Sequence, residues 1–284
     1  MNLLNKGSER QIILKIVLII CGISLLFPFF WLITSSLKTT PEILSKYMVW
    51  LPKKILWSNY AEGWKGIPPN NTFGLFFKNS MIITGIATFT TLVTSSLVAY
   101  AFARINFKFK NLIFIVLLST MMLPSQVTMI PVYIIWSKLG FVNTFVPLWA
   151  HGLWGGDPFF IFLLRQFIAT IPLELDEAAI CDGSSKIRIY SAIILPLCKP
   201  ALFTVGLFAF SDNYNNFFGP LLYLNSINKF TVQLGLRTFV SAEGFTEWGP
   251  IFAMTIVTMI PLVIVFILTQ KNLVKGINTT GLKG

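Results

Sequence analysis

Charge is scarce in this chain of 284 residues: Asp, Glu, Lys and Arg make up 12% of it, about half the share in an average soluble domain. That shortage excludes a soluble enzyme and a disordered chain. Cysteine is scarce too. Cys21, Cys181 and Cys198 have no metal-ligand spacing, and three thiols cannot build a disulfide scaffold. One histidine, His151, and three scattered cysteines supply no nucleophile–base pair or metal cluster, which counts against a membrane-embedded enzyme. The phosphate-cradling pattern G-x-x-x-x-G-K-[ST] is absent. No six-span duplication is visible, and Asp157 and Asp212 are the acids within apolar stretches, too few for the proton relay of a secondary transporter.

What the chain has is apolar surface. Hydrophobic residues make up 55% of it, with 27 Phe, 8 Trp and 7 Tyr, and the mean hydropathy is +0.73. A polytopic helical membrane protein is the class that remains. A spanning helix needs about 20 apolar residues. Charge-free runs of 22, 25, 27 and 23 residues lie between Lys15 and Lys38, Lys78 and Arg104, Lys110 and Lys138, and Glu247 and Lys271. Two further spans are interrupted. Thr144 to Arg165 contains Gly155-Gly156-Asp157-Pro158, and Ala201 to Leu224 contains Asp212 and Pro220. Irregular backbone at membrane depth must face protein or water, so these breaks point to a solute path. The expectation is six spans. The first run is longer than the about 7–15 residues of a signal-peptide core and ends without a small-residue cleavage pattern, so it reads as a retained helix.

The net charge of +11 resembles a nucleic-acid footprint until the charges are placed. With six spans, 13 of the 22 basic residues fall on the side of the two termini, three in the short loops opposite and six in the long first loop, which counts little. Both termini are therefore expected in the cytoplasm, and no nucleic-acid partner is implied. His151 reads as a hydrogen-bonded structural residue.

The fourth loop, 172–200, holds four of the eleven acids: Glu174, Asp176, Glu177 and Asp182. Pro172 suits a helix start, and Glu174, Asp176 and Glu177 suit its first turn, where the helix dipole favours negative charge. Gly183 suits the position past the helix end, Ser184 can cap a second helix, and Pro196 ends or kinks it. Two short helices joined by a glycine turn are expected. An amphipathic hairpin resting on lipid headgroups would be basic, whereas this one sets four acids against Lys186 and Arg188. A protein partner fits better.

Glu177-Ala178-Ala179, three residues, Gly183, nine residues, then Ile193-Ile194-Leu195-Pro196 match the EAA-x3-G-x9-I-x-LP signature at every fixed position. On it the chain resembles the membrane subunits of ATP-binding-cassette importers. Pro28-Phe29-Phe30-Trp31, Ser35-Ser36-Leu37-Lys38, Asn79-Ser80, Ala99-Tyr100-Ala101-Phe102-Ala103-Arg104 and Leu139-Gly140-Phe141-Val142-Asn143-Thr144 resemble the carbohydrate-uptake branch, in particular its smaller maltose-transporter-type subunit.

The resemblance implies an all-α, type I importer permease fold. Residues 1–75 would form the first helix and an extracytoplasmic loop, 76–270 the transport domain, and 271–284 a cytoplasmic tail. It also implies a bacterial or archaeal plasma membrane, a second permease subunit, a dimer of ATPase subunits and an extracytoplasmic sugar-binding protein. ATP and Mg would be held by the ATPase subunits, with no cofactor on this chain. The resemblance makes Glu177 the polar contact to the ATPase, with Ala178, Ala179, Gly183, Leu195 and Pro196 completing the coupling loop. The tail, through Lys275, Gly276 and Gly281, would reach towards the ATPase interface.

Relatives carry Trp-Asn-Asp/Glu-Phe near the path. Here Tyr214 replaces the Trp and Asn216 the acid, beside Asp212 and Asn215. Aromatic faces and amides suit sugars, and helix–helix hydrogen bonding between subunits is the alternative role. Trp50, Trp57, Tyr60 and Trp64 of the first loop read as boundary anchors or as contacts to the binding protein. A peptide or amino-acid importer sharing the signature is the rival class.

Overall fold

The computed structural model describes residues 2–66, 71–240 and 246–280, with side chains described within 11–271. No β-strand occurs among them. In chain order the helices are α1 (Asn2–Ser35), α2 (Thr40–Ile43), α3 (Ser58–Lys65), α4 (Phe73–Arg104), α5 (Lys110–Thr120), α6 (Ser125–Lys138), α7 (Val146–Trp149) and α8 (Pro158–Ala169). Then follow α9 (Glu174–Cys181), α10 (Lys186–Ile189), α11 (Leu195–Leu197), α12 (Lys199–Tyr214), α13 (Phe218–Tyr223), α14 (Val232–Thr238) and α15 (Trp248–Thr280).

Leu14–Ser35, Phe73–Arg104 and Trp248–Lys271 are each long and apolar enough to cross a bilayer. Three further apolar segments are bent pairs. Lys110–Lys138, expected as one unbroken span, bends by 98° between α5 and α6. Charge spacing cannot reveal that break, because Met121-Met122-Leu123-Pro124 contains no charge. Pro124, with φ −58° and ψ 131°, starts a new helix instead of continuing the old one. In the fifth apolar stretch α12 runs straight through Asp212. The break falls after Asn215, and Pro220 sits inside α13.

The chain divides into two compact units, 1–73 with 236–259, and 74–235 with 260–284. In the first unit, Leu18, Leu25 and most other apolar residues of α1 are exposed, as expected of a helix made for lipid. Lys38, just past its end, is 0% exposed. Its Nζ donates to Thr34 Oγ1 at 3.2 Å and lies 4.1 Å from the Trp31 ring centroid. Burial lowers its pKa from the ordinary lysine range, and the Glu42 charge partly offsets this. Asn59 Nδ2 donates to the carbonyls of Ser36 and Lys38 at 2.9 and 3.0 Å. Trp50, Trp57 and Trp64 are exposed.

In the second unit the core includes Ala99, Tyr100 and Phe102 of α4, Phe160, Ile161, Leu164 and Ile168 of α8, Ala179 of α9, Ile189 of α10, and Val205 and Ala209 of α12. The Gly155-Gly156-Asp157-Pro158 break lies on α4. Gly155 and Gly156 adopt φ of 106° and 81°, and a Cβ on Gly156 would come within 2.8 Å of the Ser95 backbone nitrogen. Asp157 caps α8 by accepting from Phe159 N–H at 2.8 Å, and its own N–H donates to Ser95 Oγ at 3.2 Å. The irregular backbone thus finds its partners within protein. Between α6 and α7, Asn143, with φ 60°, accepts from the N–H groups of Asn225 and Ser226 through Oδ1 at 3.2 and 3.1 Å. Its carbonyl accepts from Lys229 Nζ. The Leu139–Thr144 stretch therefore pins one connection to another.

Candidate functional site

The fourth loop forms the two helices expected of it. α9 carries Glu174, Asp176 and Glu177 in its first turn. It ends in a Schellman arrangement: Ser184 N–H donates to Ala179 O and Gly183 N–H to Ile180 O, both at 2.9 Å. Gly183 has φ 75°, and a Cβ there would meet nothing within 4 Å. The glycine is required by backbone conformation, in the place past the helix end expected of it. The cap of α10 is Ser185, whose Oγ accepts from Arg188 N–H at 3.3 Å. The expected Ser184 serves in the turn, one residue earlier. Past α10 a π-helical turn, Tyr190–Ile194, leads into α11. Pro196 sits within α11, and the chain bends by 78° at Cys198, two residues further on.

α9 lies at 77° to the Val146–Ala169 segment. Its two faces differ. Glu177, Ala178, Leu175 and Ile180 are exposed, as is Ile187 on α10. Ala179 points the other way. It is 7% exposed and packs in the chain's own core, so of the two signature alanines only Ala178 is open to a partner. Leu195 is half-buried and Pro196 exposed.

The inner face of α9 is held by a residue the sequence reading passed over. Arg104, at the end of α4, donates from Nη2 to the carbonyls of Ile168 and Ile171 at 3.1 and 2.6 Å. Its Nε lies 3.4 Å from Asp176 Oδ2, with side chains 4% and 13% exposed. Tyr100 Oη donates to Lys186 O at 3.1 Å, and Ser96 Oγ shares a 2.7 Å hydrogen bond with Tyr190 Oη. One side of α4 thus grips the end of α8, α9 and the start of α10. The available signal was Arg104 closing a long charge-free run opposite a loop rich in acids.

The second candidate group, Asp212 to Asn216, is split. Tyr214 is 1% exposed and stacks on Phe210, with ring centroids 5.6 Å apart. Its hydroxyl is buried without a hydrogen-bond partner. Asp212, Asn215 and Asn216 are exposed. Asn215 Oδ1 accepts from Gln233 Nε2 at 3.3 Å, and Asn216 Oδ1 accepts from Gly219 N–H at 3.0 Å. Asn216 also lines a cleft of about 490 Å³ with Ser125, Gln126, Trp136, His151 and Tyr223. The structure therefore brings His151 and Asn216 together and buries Tyr214 away from them. In the tail, Lys275 and Gly276 lie on α15 beyond the described side chains, and Gly281 lies outside the described residues. No group of three metal-ligating side chains occurs among the described residues.

Bent apolar helices packed on a small core and followed by a charged helix–turn–helix fit the membrane component of a transport system. The chain belongs to the family described as binding-protein-dependent transport system inner membrane component, whose model matches residues 91–279. It is 36% identical to the trehalose/maltose transport system permease protein MalG of Thermococcus litoralis, over 97% of this chain and 99% of that protein. It is 31% identical to the sn-glycerol-3-phosphate transport system permease protein UgpE of Pectobacterium atrosepticum, over 92% of this chain and 94% of that one. Its fold matches a chain in the crystal structure of a bacterial ABC transporter involved in the import of the acidic polysaccharide alginate. That match has a TM-score of 0.79 at 22% identity, covering 94% of this chain and 97% of the other.

Proposed function

We propose that this chain is a permease subunit of an ATP-driven importer for a sugar, most simply an oligosaccharide. It crosses the membrane six times, with both termini and the α9–α11 loop on the cytoplasmic side. A second permease subunit completes the path, an extracytoplasmic binding protein delivers the solute, and two ATPase subunits beneath hydrolyse ATP. The observation that carries this reading is the two-faced α9: its inner side is locked by Arg104 and Asp176, and its outer side presents Glu177 and Ala178 among exposed apolar side chains. An element fixed to α4 and α8 on one side can transmit a push received on the other. The sugar reading is supported by the relative named for trehalose and maltose. The relative named for sn-glycerol-3-phosphate keeps a small polyol phosphate as the second reading. Neither relative is named for a peptide or an amino acid.

The test is uptake in the native host. Cells lacking the chain should lose uptake of one labelled solute from a panel of oligosaccharides, and restoring the gene should recover it. Intact sugar uptake together with lost glycerol-phosphate, peptide or amino-acid uptake overturns the sugar reading. In the same host, Glu177→Lys should insert normally yet restore no uptake; normal uptake with normal ATPase association overturns the coupling role.

A further inference from the structure

A cleft of about 510 Å³ lies where α4 ends, α5 begins and α8 passes alongside, lined among others by Phe102, Asn106, Phe107, Lys110, Leu112 and Arg165. Two cations face it and no acid lines it. Their charges act on each other. Neither Arg165 nor Lys110 has an ion-pair partner, because the ion pair found among the described residues is that of Arg104 with Asp176. The Arg165 guanidinium carbon sits 4.2 Å from the Phe114 ring centroid, and its Nε is buried with no hydrogen-bond partner. Two like charges at one cleft, one with a buried unsatisfied donor, form an incomplete site. The group that completes it is an anion with several acceptor oxygens, because a guanidinium presents parallel donors that match a phosphate.

The surroundings say where that phosphate comes from. Leu112 at the cleft is exposed, and so are Ile113, Ile115 and Val116 further along α5. An apolar track for an acyl chain therefore runs from the cations into the apolar length of this helix. Basic pockets between membrane helices suit anionic headgroups. We infer that the Lys110–Arg165 cleft is a binding site for the phosphate headgroup of an anionic phospholipid, whose acyl chain lies along α5.

The experiment uses the full chain in detergent and native mass spectrometry to count retained lipid. The probes are phosphatidylglycerol and phosphatidylcholine with the same acyl chains. The native chain should retain phosphatidylglycerol in preference, and Arg165→Gln with Lys110→Gln should lose that preference, by about fivefold for each cation removed. Lys110→Gln alone, at a half-buried helix start, gives a readable loss should the double variant fold poorly. Arg165→Lys should keep part of the preference, and Lys53→Gln with Lys54→Gln, in the first loop, should keep all of it. Equal retention of the two lipids by the native chain overturns the site. So does unchanged preference in the double variant, or equal loss in the first-loop control. Displacement of phosphatidylglycerol by inorganic phosphate assigns the cleft to a free anion and overturns the lipid assignment.

Discussion

Arg104 Nε lies 3.4 Å from Asp176 Oδ2, joining the end of α4 to the first turn of α9. The geometry is that of an ion pair without a direct hydrogen bond, since the same Nε and the other carboxylate oxygen have no hydrogen-bond partner. The Nη2 group makes the hydrogen bonds, to two carbonyls at the end of α8. Removing the guanidinium strands a mostly buried carboxylate and two carbonyls. Arg104→Gln should therefore cost about 3–5 kcal/mol, read as a fall in the thermal midpoint of the purified chain. Asp176→Asn should cost less, because the guanidinium keeps its carbonyl partners. Equal losses would show that the carbonyl contacts contribute nothing.

The two signature alanines should respond differently. Ala179 packs in the core, so Ala179→Leu overfills it and should cost about 1–3 kcal/mol. Ala178 is exposed, so Ala178→Leu should leave the isolated chain's thermal midpoint unchanged and weaken co-purification of the ATPase subunits. A stability loss at Ala178 equal to that at Ala179 would contradict the two-faced α9.

At Gly183 the limitation is the backbone. Its φ of 75° disfavours a side chain, while the space around its Cβ position is open. Gly183→Ala should cost about 1 kcal/mol, and Gly183→Asn less, because asparagine tolerates this region better. Thermal unfolding of the two variants provides the check. Equal losses would mean that space is also restricted there.

Much of this element was legible in the sequence, because helix starts, turn glycines and first-turn acids are local signals. Gly183 and the acids of α9 lie where those signals put them. The cap moved from Ser184 to Ser185 because the Schellman turn uses the Ser184 N–H. What stayed hidden is tertiary. The facing of Ala179, the reach of Arg104 and the burial of Tyr214 depend on which helices pack together. The bend between α5 and α6 also escaped, since charge spacing records the length of an apolar run and not its straightness. The first unit likewise joins residues 236–259 to the N-terminal segment, a pairing that no local pattern encodes.

Acid should loosen the start of the first loop. Thr39 N–H donates to Glu42 Oε2 at 3.0 Å and Lys53 N–H to Oε1 at 3.2 Å. The Thr39 backbone contact, chiefly, holds the Glu42 carboxyl below its usual range. A depressed carboxylate pKa adds stability that is present above the ordinary carboxylate range and is lost as pH falls through the lowered value. Glu42→Gln should thus unfold at a lower temperature than the native chain near neutrality, and the difference should shrink under acid. A difference that does not change with pH would show that the carboxylate's charge is not what holds the loop.

Tyr214 offers the sharpest test of how the aromatic–amide stretch is used. Its ring is buried against Phe210, so Tyr214→Ala opens a cavity and should cost about 3–5 kcal/mol. Loss of transport in that variant would then report folding as much as binding. Tyr214→Phe separates the two. The hydroxyl has no partner in this state, so its removal should leave stability equal or slightly raised, because an unsatisfied buried donor carries a cost of about 1–3 kcal/mol. If the role of Tyr214 is packing, Tyr214→Phe should transport with unchanged apparent affinity. If transport brings the hydroxyl to a sugar, the same variant should keep its thermal midpoint and lose apparent affinity for the solute. Uptake measured across solute concentrations, alongside thermal unfolding, distinguishes the two roles.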